Sequence, residues 1–114
     1  MAAVRIHDIL SSRVLVTRSS ARELEQAIRD AVHLGGEQLE IDFLDVDGIT
    51  PSFLDEVITV LERVLGEIKE NQPQIIVVNP PTRLSAKFAA VGRSHSLEIV
   101  ERGPHRWELI GTRA

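Results

Sequence analysis

The sequence contains no cysteine. That absence removes disulfide frameworks, thiolate metal sites and cysteine nucleophiles together, and it fits a cytoplasmic protein. No apolar run approaches the roughly 20 residues that a membrane-crossing helix needs. The opening Met1-Ala2-Ala3-Val4-Arg5-Ile6-His7 lacks the long apolar core of a signal peptide. The four histidines, His7, His33, His95 and His105, show no His-x-x-x-His or His-Glu-x-x-His spacing. A glycine-rich phosphate loop is missing too, because Gly35-Gly36 precedes a strand-like run instead of following one. There is no internal repeat, low-complexity tract or linker.

What is present is an ordinary globular composition. With 114 residues, 43% of them hydrophobic and 26% charged, the chain reads as one domain spanning 1–114. It is long enough for one core and too short for two. The charge is unevenly placed. Residues 1–36 carry a net +1, residues 37–70 a net −8 and residues 71–114 a net +3. One reading is solvated helix faces and loops. The other is an acidic face in the middle of the chain that meets a basic partner. Nucleic acid would be repelled by such a face, and Glu98, Glu101 and Glu108 break up the basic last third.

The stretch Ile41–Glu56 organises the rest. Leu39, Ile41 and Phe43 alternate with Gln38, Glu40 and Asp42, the period of a half-buried strand. Asp47-Gly48 is a turn pair. Thr50 then offers a hydroxyl to the free N–H groups of a helix, with Pro51 at the first helical position. A second register places the cap at Ser52, with Asp55 three residues on. In either register two hydroxyls sit where backbone donors and the helix dipole favour negative charge. Capping alone accounts for these residue types. A binding or phosphorylated hydroxyl uses the same geometry, and spacing does not separate the two.

Along the rest of the chain, Val4 and Ile6 suggest a first strand, Ser11-Ser12 a turn, and Val14, Leu15 and Val16 a second strand. Two short adjacent strands suggest a hairpin. Ser20-Ala21-Arg22-Glu23 matches a capping box, followed by Leu24, Ala27, Ile28 and Ala31 at helical spacing and by Gly35-Gly36 as a stop. Leu54, Val57, Ile58, Leu61, Val64, Leu65 and Ile68 form the apolar stripe of the longest helix, with Lys69 among the polar residues opposite and Asn71-Gln72-Pro73 ending it. Ile75-Ile76-Val77-Val78 reads as a strand buried on both faces in mid-sheet. Thr82 or Ser85 opens a third helix, with Leu84, Phe88 and Val91 on one face and Gly92 closing it. Leu97 and Ile99, then Trp107 and Leu109, make a final strand pair around Gly103-Pro104. Repeated strand-helix-strand units call for right-handed crossovers and a largely parallel centre. The expected fold is α/β: a mixed four- to six-stranded sheet with three helices packed mainly on one face.

This order, with Ser20-Ala21-Arg22, Ile41-Asp42-Phe43, Val46, Ile49 and Ser52-Phe53-Leu54-Asp55-Glu56, resembles the STAS domain. That is the fold of anti-sigma-factor antagonists and of the cytoplasmic tails of sulfate transporters. The chain resembles more closely a small bacterial STAS-like family of unknown function, over about Val14 to Val91. In the antagonists, a serine at the start of the second helix is phosphorylated by a partner kinase that is also the anti-sigma factor. Their Asp-Ser-Ser-Gly-Leu falls on Thr50-Pro51-Ser52-Phe53-Leu54, so the phosphorylated serine falls on Pro51 and the small glycine on the bulky Phe53. Thr50 and Ser52 remain as possible phosphorylation sites. The resemblance implies a non-enzymatic regulatory module that docks through residues 47–56 on a switch partner such as a histidine-kinase-type ATPase. Asp47, Thr50, Ser52, Phe53, Asp55 and Glu56 are the interface candidates, with Phe53, if exposed, as apolar anchor.

Two rivals stand beside that reading. A small anionic ligand such as a nucleotide would use the positive helix ends at Pro51–Phe53 and Thr82–Leu84. An enzyme would be built on His95, flanked by Ser94 and Ser96, provided a pocket held it near a second polar side chain. Asp42, Asp45 and Asp47 could chelate a divalent cation, but Asp42 and Asp45 need not point together and nothing matches a calcium loop, so neither metal nor cofactor is expected. Trp107 would pack in the core or at an edge, or anchor a partner. A self-pairing edge strand near Trp107 would make a dimer.

Overall fold

Apolar alternation and β-branched runs place three parallel strands at one side of a sheet, and a hairpin completes the other. The computed structural model describes residues 2–15, 17–68 and 72–111. The chain runs β1 (Ala2–Arg5), α1 (Ile6–Leu10), β2 (Val14–Leu15), α2 (Arg18–Arg22), α3 (Glu25–His33) and β3 (Gln38–Asp42). It continues through β4 (Gly48–Ile49), α4 (Pro51–Leu65), β5 (Gln74–Val78), α5 (Ala86–Ser94), β6 (Leu97–Glu101) and β7 (Arg106–Gly111). The main sheet has the order β1-β3-β5-β7-β6; β1, β3 and β5 are parallel, and β7 is antiparallel to both β5 and β6.

Register explains which face is covered. Ala2, Leu39, Ile75, Leu109 and Ile99 form one row across the sheet, and Val4, Ile41, Val77 and Trp107 the next. All nine are buried in the core. The intervening row, Ala3, Glu40, Ile76, Glu108 and Val100, points the other way. Both crossovers, β1 to β3 and β3 to β5, step in the same direction, so right-handed connections put their helices on one face. There α4 packs between α2 and α3 on one flank and α5 on the other. Its stripe of Phe53, Leu54, Val57, Ile58, Val60, Leu61 and Val64 is buried, each side chain contributing about 1.5–3 kcal/mol on leaving water. As the sequence suggests, β5 lies in mid-sheet, and Ile75, Ile76 and Val77 are all buried.

Several local expectations give way. The opening hairpin does not form. Ile6 starts α1 instead of ending a strand, and β1 and β2 each pair in parallel with a later strand, β3 and β4 respectively. Edge pairing with β3 buries Ala2 and Val4 against the helices, which a hairpin with β2 would not. Ser20 does not cap its helix. Thr17 does, its Oγ1 accepting from the Ser20 backbone N–H at 3.1 Å, and the predicted single helix is split into α2 and α3. Ser85, not Thr82, caps α5. Gly92 does not end that helix; it sits inside it, where the strand below comes close. The described residues hold five helical segments, not three. Val16 at the end of the expected second strand, Lys69 beside the long helix and Asn71 in its stop lie outside the described residues. Trp107 is fully buried against Phe88, with ring centroids 5.7 Å apart, so it packs in the core and is no exposed anchor. Its strand β7 is interior, and the sheet edge expected near it is β6. Among the described residues no helix is long and apolar enough to cross a membrane.

Candidate functional site

The start of α4 is held by a small ribbon separate from the main sheet. β2 and β4 pair in parallel, Val14 with Gly48 and Leu15 with Ile49. The backbone N–H groups of Asp47 and Gly48 donate to the Arg13 carbonyl, at 2.6 and 3.1 Å, and that of Thr50 donates to the Leu15 carbonyl at 3.1 Å. The Arg13 guanidinium meets the Asp47 carboxylate at 2.9 Å, and both side chains are exposed. Thr50 is the cap: its Oγ1 accepts from the Phe53 N–H at 3.2 Å, and Pro51 follows at the first helical position, as its residue type predicts. Ser52 is therefore one turn position inside the helix, exposed, and not the cap.

The next three candidates part company. Phe53 is 0% exposed and meets Phe43 edge-on, with centroids 6.5 Å apart. The expected apolar anchor is thus a core residue, because Phe53 begins the buried stripe of α4. Asp55 is half-buried and Glu56 is buried, and both carboxylates are taken. Arg18 Nη1 lies 2.5 Å from Asp55 Oδ2 and 3.5 Å from Glu56 Oε1, and Arg22 Nε lies 3.4 Å from Glu56 Oε2. Glu56 is only 7% exposed, so it offers no free charge to a partner. The same holds along the helix flank, where Glu25 and Glu67 share Arg29 and Glu25 also meets Arg63. Each of the five arginines of the first third, Arg5, Arg13, Arg18, Arg22 and Arg29, pairs with a carboxylate of the acidic middle. The opposite signs of those two segments were the only sequence signal for this pairing.

His95, which caps the C-terminal end of α5, completes the cluster. Its Nε2 lies 2.6 Å from Asp55 Oδ1 and its Nδ1 2.9 Å from Glu62 Oε1. A neutral imidazole has one N–H for two carboxylates; the imidazolium has one for each. Burial pulls the His95 pKa down, but the hydrogen bonds its ring donates to the Asp55 and Glu62 carboxylates outweigh it and leave it raised above 6.5. Arg18 first and His95 second hold the Asp55 carboxyl below its usual 3.8. A folded-state pKa raised above the unfolded one stabilises fully at pH below the unfolded value and is lost as pH rises through the folded one. Thermal melts between about pH 6 and pH 8 should therefore show stability declining with pH. His95→Gln should lose about 1–2 kcal/mol at the acid end and flatten that slope. A variant that keeps the parent slope would place the titrating group elsewhere.

The remaining sequence candidates are not brought together. Asp42 Oδ1 accepts from the Leu44 N–H and from Asn79 Nδ2, at 2.9 and 3.0 Å, while Asp47 is paired with Arg13. Asp45 is exposed. Among the described residues no three histidines or carboxylates gather as a metal would require. At the start of α5 the expected anion position already holds the chain's own Glu101. Its carboxylate accepts from the Leu84 N–H at 3.0 Å and pairs with Arg83 at 2.8 Å. Arg83 chiefly, with that N–H, brings Glu101 down to about 2. A groove of about 610 Å³ opens beside α5, lined by Ala89, Arg93, Ser96, Leu97, Glu98 and Ile99, and His95 is not on its wall. The Ser94 hydroxyl donates to the Val91 carbonyl of its own helix at 2.7 Å.

No curated protein and no solved structure matches this chain. One family profile does, described as the STAS-like domain of unknown function (DUF4325), over residues 20–80. The matched segment begins within α2, contains the ribbon strand β4 and all of α4, and runs just past β5. It takes in more than half of the chain, including the capped turn and the carboxylates of α4 described above, and on that ground the chain belongs to the STAS-like family of unknown function.

Proposed function

We propose that this chain is a non-enzymatic regulatory module that docks a protein partner at the end of the molecule formed by the β2–β4 ribbon and the start of α4. The observation that carries this reading is exposed apolar surface next to an exposed hydroxyl. Val14 is 58% exposed on the ribbon and Leu44 is 42% exposed in the turn leading to it. Both lie close in sequence or pairing to Asp47 and Gly48, with Ser52 on the first turn of the following helix. Apolar residues ringed by polar ones are the usual form of a contact surface. Asp47, Thr50, Ser52 and Asp55 form its polar rim, and Phe53 and Glu56 support it from within. A switch partner such as a histidine-kinase-type ATPase suits the STAS-like resemblance.

Ser52 is the better phosphate acceptor of the two hydroxyls. Thr50 spends its oxygen on the cap, and modifying it would cost α4 its first hydrogen bond. A phosphate on Ser52 would sit at a helix N-terminus, where its charge is tolerated. The engagement of both His95 nitrogens by carboxylates favours a structural role for that residue over catalysis. Affinity capture from the native host, with intact-mass analysis for phosphate, tests the reading. Val14→Asp and Leu44→Asp should each reduce retention of a specific protein about tenfold or more, equivalent to at least 1.4 kcal/mol. Their melting should stay within about 0.5 kcal/mol of the parent, as surface changes do. A captured set indifferent to both substitutions would sink the proposal.

A further inference from the structure

At the far edge of the sheet, β6 is open. Among the described residues it pairs only with β7. The Arg102 N–H donates to the Arg106 carbonyl at 2.8 Å, which fixes the phase of the ladder. In an antiparallel pair the bonded positions alternate, so Val100 and Glu98 also turn their backbone groups towards β7. Leu97, Ile99 and Glu101 turn theirs outward. Edge strands are blunted by charged side chains, lysine above all, by proline or by a bulge; Leu97-Glu98-Ile99-Val100-Glu101 has no lysine and no proline, and its charges are Glu98 and Glu101. The groove of about 610 Å³ runs along this same edge.

The outward groups alternate about Ile99 as on any edge strand, so a second copy can satisfy all of them, and the charges beside the strand single out that occupant. We propose that β6 pairs antiparallel with the β6 of a second copy of this chain, about a two-fold axis through Ile99, joining two sheets into one. Ile99 then faces the partner's Ile99, and Leu97 faces the partner's Glu101, all in hydrogen-bonded pairs. Every outward N–H and carbonyl of Leu97, Ile99 and Glu101 finds a partner, as an isologous interface requires. Charge agrees with this register. Arg93 lines the groove beside Leu97, is exposed, and has no ion pair among the described residues. The partner's Glu101, which already pairs with its own Arg83, arrives opposite Leu97 on the helix side of the sheet, where Arg93 adds a second cation to the same carboxylate. Like charges do not fall opposite each other, since Glu98 faces the partner's Val100.

The helix above the edge is shaped for the same contact. Ala86, Ala89, Ala90 and Arg93 share one face of α5 at spacings of three and four, and Ala89 and Arg93 line the groove. α5 rests on β6 and β7, with Gly92 against Ile99 and Phe88 against Trp107. Pairing the two β6 strands brings the two α5 helices to roughly 10 Å, a distance that suits small facing residues. This surface is separate from the α4 docking end, so either proposal can fail alone.

Sedimentation velocity on the whole chain, from micromolar to several hundred micromolar, should show a concentration-dependent dimer. Arg93→Glu should weaken it about tenfold, because the new carboxylate faces the partner's Glu101. The absence of native cysteine allows a test of register. Glu98 and the partner's Val100 form a non-hydrogen-bonded pair, whose Cβ atoms lie about 4.5–5.5 Å apart, close enough to bridge after slight adjustment. A mixture of the Glu98→Cys and Val100→Cys proteins should therefore form an interchain disulfide under mild oxidation, several-fold more than either protein alone. A chain that stays monomeric throughout the range overturns the proposal. So does a dimer that ignores Arg93→Glu and whose mixed cysteine variants cross-link no better than the separate ones.

Discussion

Phe53→Ala should cost about 3–5 kcal/mol, the largest loss expected from any single truncation in this region. Phe53 is fully buried and meets Phe43 edge-on, so the alanine removes both burial and an aromatic contact worth about 0.5–1.5 kcal/mol beyond area. For a domain of this size, that is a drop of roughly 12–20 °C in melting temperature. A urea midpoint that shifts while the slope holds would confirm that stability alone has changed. The neighbouring Ser52→Ala is the control, because an exposed residue past the cap should move stability by less than about 0.5 kcal/mol. If Phe53→Ala melted like its control, the placement of the α4 stripe would be wrong.

Gly92→Val should destabilise by about 1–3 kcal/mol through overpacking. A Cβ at Gly92 would lie 2.8 Å from Ile99 Cγ1 and 3.2 Å from the Leu97 carbonyl oxygen. The first atom is close to its own backbone and the second is backbone, so neither can swing aside cheaply. Gly92→Ala sharpens the test because two effects oppose each other. Helix propensity alone would favour alanine by about 1 kcal/mol. The close approach of α5 to β6 opposes that gain, and the net change in melting should be a loss. A more stable alanine variant would mean that the helix does not lie this close to the strand.

Gly92 also shows where sequence reading stops. A glycine near the end of an apolar pattern suggests a helix stop, and only the proximity of Ile99, seven residues on and turned back in space, gives it another role. β3, β5 and α4 were readable because each carries enough apolar residues at one period to identify itself. The Thr50 cap and Pro51 were readable for the same local reason. β1 and β2 were visible as apolar pairs, but their partners lie far along the chain, and adjacency wrongly suggested a hairpin. The candidate site was half legible. Its turn chemistry is local, whereas the neutralisation of Asp55 and Glu56 depends on Arg18 and Arg22 in α2. Phe53 could have been placed from its own helix: it precedes Val57, Leu61 and Val64 at helical spacing, which is the pattern of a buried stripe.

The single tryptophan has a practical consequence. The chain has no tyrosine, so essentially all of its intrinsic ultraviolet emission comes from one indole, that of Trp107. That ring is sealed in the core, one strand in from the open edge. Its colour therefore reports, without labels, on the part of the core where the sheet meets α5, and the opening of that seam is read as a shift to the red.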